Sequence, residues 1–282
     1  MNETDIEAEE EPTDGKEIIQ EIQRKRSITG WASVTVAAIG IAFSLFQIVL
    51  AAKSFDWKIM LPVVGEVEVL SFQLLQANAI HVTFALVLAF ILFPPSTADG
   101  RTARWLGSLH GRLSTRLGAD SSLTSLLNRV RDGIHWAMVD PEKERITPLD
   151  LLFIGLSVLA GVYFLTDFSE IRRMRGLGLS GGRSVAEILP LFDPVGLPGM
   201  ELSYAFVLGV IGVLLVLEAT RRTIGLPLML IVAAFIVYAR WGHMIPRDAA
   251  YVGVLSIPEL SWQSIIQNLW YNTENGVFGI PV

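Results

Sequence analysis

The sequence has no cysteine among its 282 residues. Disulfides, thiolate metal sites and cysteine nucleophiles are therefore excluded. Histidine is scarce too. The four histidines (His81, His110, His135 and His243) fall in separate segments, with no metal-ligand spacing. Charged residues make up only 18% of the chain against 51% hydrophobic residues, and mean hydropathy is +0.49. A soluble domain of this length carries more charge, and this balance is that of a helical membrane protein. The net charge of −6 is unevenly spread: Glu7, Glu9, Glu10 and Glu11 crowd the start, whereas arginines cluster between apolar runs. Basic clusters in such places read as topogenic charge at a membrane, not as a nucleic-acid surface. The first apolar run is too long for a signal peptide and follows a long acidic tail, so it reads as a retained signal anchor.

Five apolar runs are long enough to cross a bilayer. The first, Trp31 to Ala52, is uncharged, follows Arg24-Lys25-Arg26 and ends at Lys53. As a helix it would reach roughly 33 Å, against a hydrocarbon core of about 30 Å. The second runs from about Leu70 to Phe93, where Pro94-Pro95 stops it. The third begins near Thr147-Pro148-Leu149-Asp150, where Thr147 suits a cap, Pro148 the first turn and Asp150 a capping box. It continues to about Thr166. The fourth is Ser203 to Ala219, and the fifth is Leu226 to about Trp241, with Tyr238 and Trp241 placed as an interfacial belt. The fold class expected is all-α: a polytopic helical membrane protein of about five transmembrane helices, with amphipathic interfacial helices.

Basic residues set the expected orientation. The loop from Ser96 to Ile146 holds eight: Arg101, Arg104, Arg112, Arg116, Arg129, Arg131, Lys143 and Arg145. With Arg24 to Arg26 and Arg221-Arg222, it places the N-terminus and this loop in the cytoplasm of an inner-membrane protein. The cluster Arg172, Arg173 and Arg175 opposes that assignment. Within the long loop, Leu106, Leu109, Leu113 and Leu117 recur at helical spacing among arginines, and Leu123, Leu126, Leu127, Val130 and Ile134 form a second run. Such helices lie on anionic lipid or pack against each other in the cytosol. Leu260 to Tyr271 is a further amphipathic stretch, with Ile265, Ile266, Leu269 and Trp270 on one face.

Few residues invite a chemical reading. Gly178-Leu179-Ser180-Gly181-Gly182 fits the Gly-x-Ser-x-Gly pattern, but Ser180 lies in a polar loop and His243, the only downstream histidine, lies outside the fifth span. A glycine-rich turn accounts for it better than a hydrolase elbow. His81 lies inside the second span with Gln73, Gln76 and Asn78. Polar side chains at that depth suggest interhelical hydrogen bonds, with a transport path or a water-facing position as alternatives. Glu218 precedes Arg221 and Arg222 by three and four residues, which places them on one helical face as an ion pair. The other reading is a topogenic cluster that snorkels to the headgroups. No catalytic or metal-binding residue is nominated.

Several segments together resemble a known family. Glu218-Ala219-Thr220-Arg221-Arg222-Thr223-Ile224-Gly225-Leu226-Pro227 resembles the junction in fused membrane subunits of TRAP (tripartite ATP-independent periplasmic) transporters. His81-Val82-Thr83-Phe84 through Phe93-Pro94 resembles their second helix. Asn268 to Glu274, followed by Gly276-Val277-Phe278-Gly279-Ile280-Pro281, resembles the start of their large-subunit region, with Asn275 as an insertion. The type resembled is the one paired with TAXI binding proteins. The resemblance implies an acidic cytoplasmic tail over 1–27, a small-subunit-like four-helix scaffold over 28–220 and the opening of a large-subunit-like region over 221–282. It implies a role as the scaffold portion of a sodium-coupled symporter for organic anions (carboxylates). The partners implied are the remaining large-subunit region, a periplasmic solute-binding protein and membrane lipids. It places the sodium and substrate sites beyond Val282, so no cofactor is expected on this chain. The competing reading is a membrane-anchored interaction protein without a transport role.

Overall fold

A computed structural model describes residues 25–52, 58–61, 65–68, 74–96, 122–177, 179, 182–188, 201–249, 251–272 and 276–277. Its helices are α1 (Trp31–Ala52), α2 (Leu74–Leu92), α3 (Ser122–Met138), α4 (Pro148–Thr166), α5 (Phe168–Leu177), α6 (Val185–Ile188), α7 (Tyr204–Thr223), α8 (Leu226–Trp241) and α9 (Trp262–Trp270). Helices α1, α2, α4, α7 and α8 are long and apolar enough to cross a membrane, which makes this a multi-pass helical membrane protein. Large apolar side chains such as Val34, Ile41, Ile48, Leu214 and Phe235 are exposed on these helices. Exposure of that kind is suited to lipid and costly in water.

The helix limits follow local chemistry. Helix α4 begins at Pro148, as the sequence predicts. Helix α7 runs four residues beyond the expected end at Ala219, through Arg221 and Arg222, because their guanidinium groups find carboxylates on the helix and its neighbour. Between α7 and α8, Gly225 takes φ +128°, a left-handed value that favours glycine. Pro227 then fits the first turn of α8. Two elements were not expected. A short hairpin follows α1, with β1 (Lys58–Leu61) antiparallel to β2 (Gly65–Glu68) and Lys58 opposite Glu68. Helix α5 occupies the stretch containing Arg172, Arg173 and Arg175, and it buries Ile171 and Met174.

The described residues form two compact units. In the first, residues 25–28 join residues 92–96 and 122–147. The amide of Arg26 donates to the carbonyl of Leu92 and that of Ser27 to Lys143, at 2.8 and 2.9 Å. The Arg26 guanidinium donates through Nε to Asp140 Oδ2 at 3.0 Å, with both side chains buried. The amide of Asp140 donates in turn to the Ser96 carbonyl at 2.9 Å. Helix α3 confirms the second periodic run of the long loop, with Val130, Ile134 and Trp136 left exposed. The first run, at Leu106 to Leu117, lies outside the described residues.

The second unit holds the five apolar helices and α9. Its main core joins Leu75, Tyr163, Phe164, Leu208, Ile266, Trp270 and Tyr271, and a second cluster joins Leu86, Phe90, Leu215 and Ala219. Helix α9 turns its apolar face onto α7. Ile265, Ile266 and Trp270 are buried, and the Tyr271 hydroxyl donates to the Ala205 carbonyl at 2.6 Å.

Candidate functional site

The buried charges of the second unit centre on Arg222. Its Nε donates to Glu218 Oε1 at 2.7 Å and its Nη1 to Asp150 Oδ1 at 2.5 Å. The side chains of Arg222 and Asp150 are fully shielded. The guanidinium carbon lies 4.9 Å from the ring centre of Phe90 and 5.3 Å from that of Phe153. The two rings themselves lie 5.2 Å apart, and a cation near both gains from their quadrupoles, most strongly where water is excluded. Arg221 donates through two nitrogens to the two oxygens of Glu218, each at 2.7 Å. One arginine of the pair therefore ties α7 to α4 and α2, while the other closes onto its own helix.

The ion pair expected at Glu218, Arg221 and Arg222 is present. The sequence reading missed Asp150, which was assigned only to a helix cap. A carboxylate in the first turn of an apolar helix suits both roles. A signal was available: a span carrying one acid at its end, and another carrying two arginines beside one acid, leave an arginine to be neutralised across the bundle.

The second polar group is His81. Gln47 of α1 and His81 of α2 are hydrogen-bonded, Nε2 to Nδ1. Phe43 meets the imidazole edge-on at 4.9 Å and stacks on Phe84 at 5.3 Å. One turn earlier Asn78 is buried, and the Gln76 amide donates to the Phe164 carbonyl at 3.5 Å. Gln47 was not singled out from the sequence. As the one amide side chain of α1, it was the available partner for an intramembrane histidine.

A third group lies at the other end of α4. Arg183 donates to Glu170 through Nε at 2.9 Å and through its own amide at 2.9 Å, and it also pairs with Asp167. Its side chain is exposed, and the Glu170 carboxylate holds the guanidinium pKa above its usual value. Ser180 lies outside the described residues. His243 sits in a short turn, Gly242–Met244, with Nδ1 3.1 Å from the Arg240 carbonyl oxygen. Among the described residues, no three His, Asp or Glu side chains are grouped as a metal site.

The polar groups thus join helices: α1 to α2 through Gln47 and His81, and α2, α4 and α7 through Arg222. Comparison with protein-family profiles, curated proteins and solved structures found no match for this chain.

Proposed function

We propose that this chain is the membrane scaffold portion of a sodium-coupled, binding-protein-dependent secondary transporter for organic anions, of the TRAP type paired with TAXI binding proteins. The sequence segments around Glu218 to Pro227, His81 to Pro94 and Asn268 to Pro281 support the family. One structural observation carries the scaffold role: the fully shielded Arg222–Asp150 pair, closed by Glu218 and flanked by Phe90 and Phe153. A bolt of this kind opposes sliding of α4 against α7, because separation would break the fully shielded Asp150–Arg222 bond in an apolar medium.

On this reading the chain sits in the inner membrane with its N-terminus in the cytoplasm. The solute and sodium sites belong to the large-subunit-like region expected beyond Val282, and the binding protein delivers solute from the periplasm. The test is reconstitution. Residues 1–282 in liposomes with a TAXI-type binding protein and a sodium gradient should accumulate no carboxylate. Supplying a large TRAP membrane subunit as a second polypeptide should give sodium-dependent uptake. Uptake by residues 1–282 alone would overturn the scaffold role and make His81 and Asn78 the first residues to examine. A second reading, a membrane-anchored interaction protein, is favoured by the exposed Val130, Ile134 and Trp136 on α3. It predicts no uptake in either reconstitution.

A further inference from the structure

Helices α2 and α4 approach closely at Gly161, where a Cβ would overlap the hydroxyl of Thr83. Small residues permit that approach in a membrane bundle. Helix α1 meets α2 further along, through Phe43, Phe46 and Gln47. At Gly40, less than one turn away, nothing lies within 4 Å of where a Cβ would stand. Contact at one level and open space at the next leave a groove of about 280 Å³ between the three helices. Ile39, Ile80, Phe84, Val87, Val158 and Val162 line it.

Three occupants compete for this space. Water is disfavoured, since an apolar cavity of about 150 Å³ stays dry and takes up a hydrocarbon instead. A spanning helix, about 10 Å across and 30 Å long with a volume of roughly 2,400 Å³, could only lie over this space and not fill it. A hydrocarbon chain matches the apolar lining, and it is the medium that surrounds these helices. The lining residues sit near the middle of their helices: Ile39 is ninth in α1, Phe84 eleventh in α2 and Val158 eleventh in α4. That is acyl-chain depth.

We propose that the groove between α1, α2 and α4 binds one acyl chain of a phospholipid and holds it as an integral part of the bundle. The chain fills the wedge that α1 leaves above the Gly161–Thr83 contact.

Native mass spectrometry of the purified protein, with bound phospholipid counted through graded detergent washing, tests this. The protein should keep one phospholipid after bulk lipid is removed. Val158→Phe and Ile39→Phe, which fill the groove from opposite walls, should each lower that retention at least tenfold. Leu214→Phe, at an exposed position on α7 away from the groove, should leave it unchanged. Circular dichroism establishes which variants fold, and either folded groove variant suffices. No retained phospholipid in the parent protein, or equal retention in a folded groove variant, would overturn the proposal. So would crosslinking of an Ile39→Cys variant to another polypeptide in place of lipid.

Discussion

The indole of Trp270 fills the space that a side chain at Gly212 would need. One turn earlier a Cβ at Gly209 would stand 2.5 Å from Ile266 Cγ2 and 3.0 Å from Tyr271 Cε2. Two glycines on one face of α7 thus let α9 lie directly on its backbone. The Phe164 ring, centred 5.4 Å from Tyr271 and 6.4 Å from Trp270, extends the contact to α4.

Gly212→Ala should therefore push α9 off α7. Overpacking of a close contact costs about 1–3 kcal/mol, so thermal unfolding in detergent should shift down by several degrees. Trp270→Leu in the same chain should recover part of the loss, because it removes the ring that the methyl meets. A Gly212→Ala protein as stable as the parent would show that α9 does not dock there.

Among the described residues, Arg222 and Asp150 form the most buried ion pair of the second unit. Removing Arg222 takes the guanidinium from the buried Asp150 carboxylate, at a cost of about 3–5 kcal/mol, whereas removing Asp150 leaves Arg222 its bond to Glu218. Arg222→Leu should therefore destabilise strongly and Asp150→Leu less. The double variant should be more stable than Arg222→Leu, because it removes the buried carboxylate as well. Arg222→Lys should not rescue, since a single ammonium lacks the fork that bonds Glu218 through Nε and Asp150 through Nη1. The check is a double-mutant cycle on unfolding in mixed micelles. Simple additivity would place the two residues apart.

These contacts mark where sequence reading stopped. The five spans were legible because hydropathy over some twenty residues depends on composition alone. The partner of Arg222 was not legible, because Asp150 is 72 residues away in sequence and its place in a first helical turn already had a local explanation. Arg26 is a similar case. It counted as topogenic charge beside Arg24 and Lys25, yet its side chain is buried against Asp140, 114 positions on. Helix α5 is not singled out from the sequence, where Arg172, Arg173 and Arg175 count only as loop charge, although Phe168, Ile171 and Met174 repeat at helical spacing. The β1–β2 hairpin comprises two four-residue strands, too short for alternation to separate from chance. The reading of Ser180 concerned a residue outside the described set, and the structure leaves it as the sequence did.

Orientation can be tested directly, because the chain has no cysteine. Single cysteines at Ser114 and Ser180 lie on opposite sides of α4 in the chain. With the N-terminus in the cytoplasm, a membrane-impermeant maleimide added to intact cells should label the Ser180→Cys protein and spare the Ser114→Cys protein. Permeabilised cells should label both. The reverse pattern would invert the assignment, and labelling of both in intact cells would remove α4 as a span.

The last prediction concerns how α1 is held. Its exposed positions give it few contacts with the bundle, and none of its residues is among the buried core. The Gln47–His81 hydrogen bond and the Phe43, Phe46 and Phe84 ring contacts attach it to α2. A hydrogen bond between helices in a bilayer contributes on average about 0.6 kcal/mol and at most about 1.7. Gln47→Leu should therefore weaken the attachment by about that much without unfolding the remaining spans. His81→Ala should cost more, since it also removes the ring that meets Phe43. Spin labels at the exposed Ile48 of α1 and Leu159 of α4, which leave the phenylalanine rings in place, measure the result. The distribution of distances between them should be narrow in the parent background. It should broaden with Gln47→Leu and further with His81→Ala, while melting of the α4–α7 bundle stays nearly unchanged. If the distribution were indifferent to both substitutions, the Phe43, Phe46 and Phe84 contacts alone would hold α1, and His81 would be freed from its structural role for the transport-path reading.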